Sequence, residues 1–216
     1  MPFHFADAEY ATRLAKATAS LVDRGLDALL MFAPESHYWI CGYDTFGFAM
    51  FQCMILGADG RLNLLTRAPD LRQAQQTSTL SSAQIHIWND IEGVAPAANL
   101  AALVAKLGYR GKIAMETQTV GLTFANGQSV ISAFDLPLHN GDGIITELRQ
   151  DKSLAEMGMP MHAASASNSA AHRGRSSMDD SSTTTISASR GFWALRANLS
   201  LYVSSSWDSL FWCVSW

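Results

Sequence analysis

Within one aromatic-rich stretch, ESHYWICGYDTFGFAMFQ, residues 35–52, His37 and Asp44 stand seven residues apart and are of the types that move protons. An imidazole and a carboxylate act as a pair only when the fold brings both within hydrogen-bond reach of the reacting group. A seven-residue separation on a loop does not impose that. The plainer reading has Asp44 capping a turn beside Gly42 and His37 packed or at the surface. The rest of the stretch points to binding rather than bond-breaking. Tyr38, Trp39, Tyr43, Phe46, Phe48 and Phe51 crowd rings around Gly42 and Gly47. Tyr38 and Trp39 read as core. Phe46 and Phe48 flank a glycine ahead of a strand, so they sit on a loop, where binding residues concentrate.

Elsewhere the residues that could do chemistry are scattered. Glu116 ends an apolar run, where an acid more often caps the next turn than binds a ligand. Arg67 and Arg72 flank a helix start and read as solvated helix-end charges. His4, His86 and His139 have no partners at metal-ligand spacing. No GxSxG nucleophile elbow occurs, and the glycines at 121, 127, 141 and 143 form no phosphate-cradling pattern. Cys41, Cys53 and Cys213 are an odd set without a CxxC pair, which suits a reducing compartment better than a disulfide framework or a zinc site.

The elements that must position these residues follow from periodicity. Asp7 is read as the cap of a helix running to Arg24, with Tyr10, Leu14, Ala17 and Leu21 at helical spacing and Gly25 as its stop. Asp27 to Phe32 is a buried strand closed by Pro34, residues 34–40 make a helical turn, and Ala49 to Leu56 is strand-like. Asp59-Gly60 turns that strand back along Arg61 to Thr66. A polar helix follows Pro69, from Asp70 to Thr77, then a strand from Gln84 to Trp88 with Ile85 and Ile87 on one face. Ala97 to Leu107 is an amphipathic helix stopped by Gly108, Lys112 to Glu116 a strand, and Thr123 to Phe134 a further helix weakened by Gly127. Alternating helices and strands predict an α/β class with helices layered on a mixed β-sheet.

Composition narrows the partners. A net charge of −4 argues against nucleic acid, which needs a basic face. No apolar run is long enough to span a bilayer, and MPFHFADAEY has neither the basic nor the apolar region of a signal peptide, so the expected location is cytoplasmic. The 48% hydrophobic share is ample for one core. The expected domain is 5–156. From 157 to 216 the chain turns serine-rich and then tryptophan-rich, without a hydrophobic period, and is expected to be an irregular or disordered tail.

Several segments, taken in order, resemble one family. EYATRLAKATASLVDRGLDALL, ESHYWICGYDTFGF, FQCMILGADGRLNLLTR, KIAMETQTVGLT and GIITELRQDKSLAEM are similar to the N-terminal domain of the creatinase / aminopeptidase P / prolidase (pita-bread) family. The resemblance implies an α/β N-terminal domain and catalysis in a separate C-terminal domain. There two divalent metals, manganese or cobalt, are held by two aspartates, a histidine and two glutamates and activate water against an Xaa-Pro bond. It also implies that Tyr43, Asp44, Phe46 and Phe48 line a substrate mouth, which in dimeric members overhangs the neighbour's active site. Creatinase places an arginine for its substrate's carboxylate at about the position of Phe48, and a phenyl ring cannot make that contact, which favours a peptide or other amide substrate.

The chain also departs from the family. A catalytic domain would add roughly 200 residues or more. Beyond Glu156 the acids are Asp179, Asp180 and Asp208 and the histidines are His162 and His172, from which the five-ligand set cannot be assembled. Leu154 stands where members often have proline, and Pro160 interrupts the expected next helix. The expectation is therefore an N-terminal domain without its catalytic domain. It would be inactive alone, with no catalytic or metal-binding residue and no cofactor of its own, and with a tail of aberrant or out-of-frame origin. Alternatives are a non-catalytic peptide- or partner-binding module, and a fragment of a creatinase- or ectoine-hydrolase-like amidohydrolase. Expected partners are a second copy or a full-length homologue, with peptide substrate only when a catalytic domain completes the site.

Overall fold

A computed structural model describes residues 4–89, 91 and 93–157. The tail expected over 157–216 lies, beyond Met157, outside the described residues. The order of elements is α1 (Asp7–Asp23), β1 (Ala28–Met31), α2 (Pro34–Cys41), β2 (Cys53–Gly57), β3 (Leu62–Arg67), α3 (Leu71–Thr77), β4 (Ile85–Trp88), α4 (Pro96–Leu107), β5 (Ile113–Met115), α5 (Phe124–Ala133), β6 (Leu138–Asn140) and α6 (Ile144–Gln150). The strands form one mixed sheet in the order β4-β3-β2-β1-β5-β6.

β2 runs antiparallel to both β1 and β3, whereas β1–β5, β5–β6 and β3–β4 are parallel pairs. Every strand but β2 therefore points the same way. The carboxyl ends of those strands and the amino end of β2 share one edge of the sheet. β1 is central, and Ala28, Leu29, Leu30 and Met31 are all fully buried. Side chains alternate across a strand, so Leu29 and Met31 face one layer while Ala28, Leu30 and Phe32 face the other. The first layer holds α1, α2, α3 and α6, packed through Ala17, Leu21, Trp39, Ile40, Ala74, Ile144 and Ile145. The second holds α4 and α5, packed through Leu100, Leu103, Val104 and Val130. The fold is a three-layer α/β/α sandwich, the class expected from the alternation.

Local chemistry explains the ends. α2 and α4 each begin with proline inside the first turn and stop at a left-handed glycine, Gly42 (φ 78°) and Gly108 (φ 92°). α1 starts one residue earlier than expected, at Asp7 itself: Ala6 is the N-cap and Asp7 lies inside the first turn, where its charge favours the helix dipole without a capping hydrogen bond. The sheet also has a sixth strand, β6, and a further helix, α6, that periodicity did not mark. Among the described residues, no helix is long and apolar enough to cross a membrane.

Candidate functional site

The 35–52 stretch divides into a buried pedestal and an exposed turn. α2 buries Ser36 through Cys41 on every side. At its amino end the Glu116 carboxylate, arriving from β5, accepts the backbone N–H of Phe32 (3.0 Å) and Ala33 (3.0 Å) and the Ser36 hydroxyl (2.7 Å). This is the carboxyl edge between β1 and β5, the crevice where open α/β sheets usually take ligands and where a helix N-terminus attracts anions. Here the chain supplies its own anion. Gly121 closes the rest: a Cβ there would lie 2.0 Å from the Phe32 carbonyl oxygen. Burial pushes the Glu116 carboxyl up to about 7, against the pull of its three donors.

His37 and Asp44 part company. His37 is buried, donates from Nε2 to the Met31 carbonyl at 2.9 Å and stacks on Tyr43 at 6.0 Å. Burial holds its imidazolium down to about 4, so it is neutral near pH 7. Asp44 is exposed, its backbone N–H held by the Thr77 hydroxyl at 3.2 Å. His37 thus serves as a packed residue.

Among the mouth residues expected from the sequence, Tyr43 is 1% exposed and turns inward, donating to Gln52 Oε1 at 2.7 Å. Asp44 and Phe46 are exposed and Phe48 is half-buried. A 3-10 turn, Gly47–Ala49, carries the rings. It lies on a polar bed of Gln52, Thr45 and Asp70, all buried. Gly47 is the contact point: a Cβ would meet Gln52 Nε2 at 2.4 Å and Asp70 Oδ1 at 2.5 Å. Arg67 is not a solvated charge; its Nε pairs with Asp70 Oδ2 at 3.1 Å with both side chains largely buried. Periodicity misses this bed because its members are polar and come from two separate segments, the loop before β2 and the turn after β3. Only their crowding around Gly47 reveals them.

Apolar side chains stand out from the same edge. Phe46 is 60% exposed, Met50 49% and Phe124, after β5, 82%. Behind them Phe51 packs edge-on to Phe32 and Trp88, with the Trp88 indole donating to the Phe51 carbonyl at 3.0 Å. The edge is thus an exposed apolar rim on a rigid aromatic backing, suited to receiving a ligand or a protein surface. Of the remaining candidates, His86 bonds Asn63 at 3.1 Å, His4 bonds the Tyr38 hydroxyl, and His139 is exposed on β6. Cys41 and Cys53 are buried thiols that burial keeps protonated. Among the described residues no three His, Cys, Asp or Glu side chains converge to hold a metal ion, so these residues do not fit a two-metal centre.

Comparison with known proteins identifies the domain. Residues 13–150 match the creatinase/prolidase N-terminal domain. The ectoine hydrolase of Halomonas elongata is 33% identical over 86 residues, covering 40% of this chain and 22% of that protein. An uncharacterised hydrolase/peptidase of Sinorhizobium fredii is 28% identical over 120 residues, covering 55% of this chain and 30% of that protein. Among solved structures, a dipeptidase from Pyrococcus horikoshii superimposes with a TM-score of 0.62 at 20% identity, covering 87% of this chain and 48% of its own. The chain spans less than a third of the length of those two curated relatives.

Proposed function

Because the chain belongs to the creatinase/prolidase N-terminal domain family, we propose that this domain is the substrate-gating, non-catalytic part of a hydrolase of the Xaa-Pro peptidase kind. The observation that carries this reading is the rim: Phe46 exposed and Phe48 half-buried on a turn braced from below by Gln52 and Asp70, at the carboxyl edge of the sheet. A braced loop that presents rings, with Asp44 as its one exposed carboxylate and the His37 imidazole turned to the Met31 carbonyl, shapes an entrance and leaves the chemistry to another domain. The two divalent ions of such a peptidase, manganese or cobalt, would be held by that other domain. The described residues supply them no ligand set. The lip would then act across a dimer, with a second copy or a full-length homologue, in the cytoplasm.

A second reading keeps the gating role and changes the substrate to a small amide, supported by the 33% identity to an ectoine hydrolase. Assay of the 216-residue chain distinguishes gating from catalysis. With an Xaa-Pro dipeptide and manganese or cobalt, no cleavage above blank is expected, and metal-dependent turnover would overturn the proposal. Light scattering of a mixture with a full-length homologue should show a heterodimer. Two separate monomers would remove the partner role.

A further inference from the structure

Arg13 lies on the buried stripe of α1 and is 3% exposed. Rings enclose its guanidinium: Phe5 at 4.0 Å from the centroid, Trp39 at 5.5 Å and Tyr10 at 5.6 Å. Its Nε donates to Glu9 Oε1 at 3.0 Å and its Nη1 to the Trp39 carbonyl at 3.0 Å. Its Nη2 lies 3.0 Å from Glu156 Oε1, an ion pair without hydrogen-bond alignment. The same Glu156 oxygen accepts the Trp39 indole N–H at 3.1 Å. The other closes a capping box with Ser153, whose backbone N–H donates at 2.9 Å and whose hydroxyl accepts the Glu156 N–H at 3.2 Å.

Apolar burial does not hold the 151–157 segment in place. Leu154 is 84% exposed and Met157 53%. The Glu156 carboxylate is what seats it, and Trp39 bonds both members of the ion pair. Three residues after Trp39 the chain leaves α2 at Gly42, where a Cβ would touch the Tyr10 hydroxyl and the Thr77 carbonyl at 2.9 Å each. Tyr10 is one of the rings around Arg13. Removing one carboxylate from a buried guanidinium strands charge that its surroundings must reorganise to cover.

We propose that Glu156 is a latch through which the segment 151–157 sets the stiffness of α2 and of the aromatic turn that α2 carries. Seated, it neutralises Arg13 and pins Trp39. Unseated, it leaves Arg13 with Glu9 as its one carboxylate among the described residues, and α2 loses the indole anchor. Whatever pulls on the chain beyond residue 157 acts on the latch first, so movement there is transmitted to the carboxyl end of α2, from which the aromatic turn follows. This goes beyond the reading of the loop as a lip and stands whether or not that loop meets a substrate.

The test is amide hydrogen exchange, followed by mass spectrometry, on the full chain and its Glu156→Ala variant. Exchange should quicken by about tenfold or more, the worth of one charge-assisted hydrogen bond, both in 151–157 and in 36–52, while β1 and β2 stay protected. Faster exchange in 151–157 alone would overturn the coupling, and no change in either would overturn the latch. Should Glu156→Ala unfold the domain, Ser153→Ala removes only the hydroxyl half of the capping box and keeps the backbone N–H that donates to Glu156. It should quicken the same two segments by a smaller factor, and the same two contrary outcomes would count against the proposal.

Discussion

At the scale of single residues, Tyr43 and Phe46 sit three apart on one loop and have opposite roles. Tyr43 points inward and its hydroxyl is the donor that satisfies Gln52 Oε1. Tyr43→Phe should leave that acceptor buried and unpaired and cost about 1–3 kcal/mol. Phe46 is 60% exposed, and Phe46→Ala should change stability by no more than about 0.5 kcal/mol. Urea midpoints of the two variants make the comparison, and equal losses would mean that Tyr43 does not brace the loop. From the sequence the two rings could not be told apart. Both are aromatic, both lie near glycine, and the direction of a loop side chain has no periodicity to betray it. Arg67 was hidden for a similar reason: its pairing with Asp70 needs the 3-10 turn that joins β3 to α3.

At the scale of elements, legibility tracks amphipathicity. α1 and α4 bury one stripe each, so their spacing marks them, and proline and glycine punctuate α2 and α4. α2 itself is buried all round, so it shows no stripe, and only its proline start and glycine stop are visible. β6 is three residues long with exposed His139 and Asn140, too short and too polar to alternate. Two glycines carry most of the geometry of the candidate site. Gly42→Ala would place a Cβ 2.9 Å from two oxygens at φ 78°, and Gly47→Ala would place one within 2.5 Å of Gln52 and Asp70. Each should cost about 1–3 kcal/mol in a chemical denaturation series, through left-handed strain at the first and overpacking at the second. Gly108→Ala shares the positive φ of 92° but has nothing within 4 Å of its Cβ, so it isolates the backbone part of the Gly42 loss.

At the scale of the whole molecule, two buried groups oppose each other in their effect on stability against pH. Burial raises the Glu116 carboxyl from 4.5 to about 7. The folded domain then holds a proton that the unfolded chain has released, so this group's contribution is largest in acid and is lost as pH rises from 4.5 to about 7. Burial lowers His37 from 6.5 to about 4. The unfolded chain then holds the extra proton, so this contribution is full above 6.5 and is lost as pH falls toward 4. The windows overlap from 4.5 to 6.5 and the slopes have opposite signs, so these two groups together should leave a nearly flat profile there. Removing either should expose the other. Glu116→Gln should gain stability as pH rises from about 4 to 6.5, by up to about 3 kcal/mol. His37→Gln should lose a similar amount between about 4.5 and 7. Denaturation midpoints measured across that range decide it. If both variants keep the parent's profile, neither group titrates differently in the folded domain, and the closed crevice between β1 and β5 would have to be wetter than the burial of Glu116 indicates. Glu116 bonds the Ser36 hydroxyl and His37 is the next residue of α2, so the two opposing slopes have one physical origin: the exclusion of water around α2.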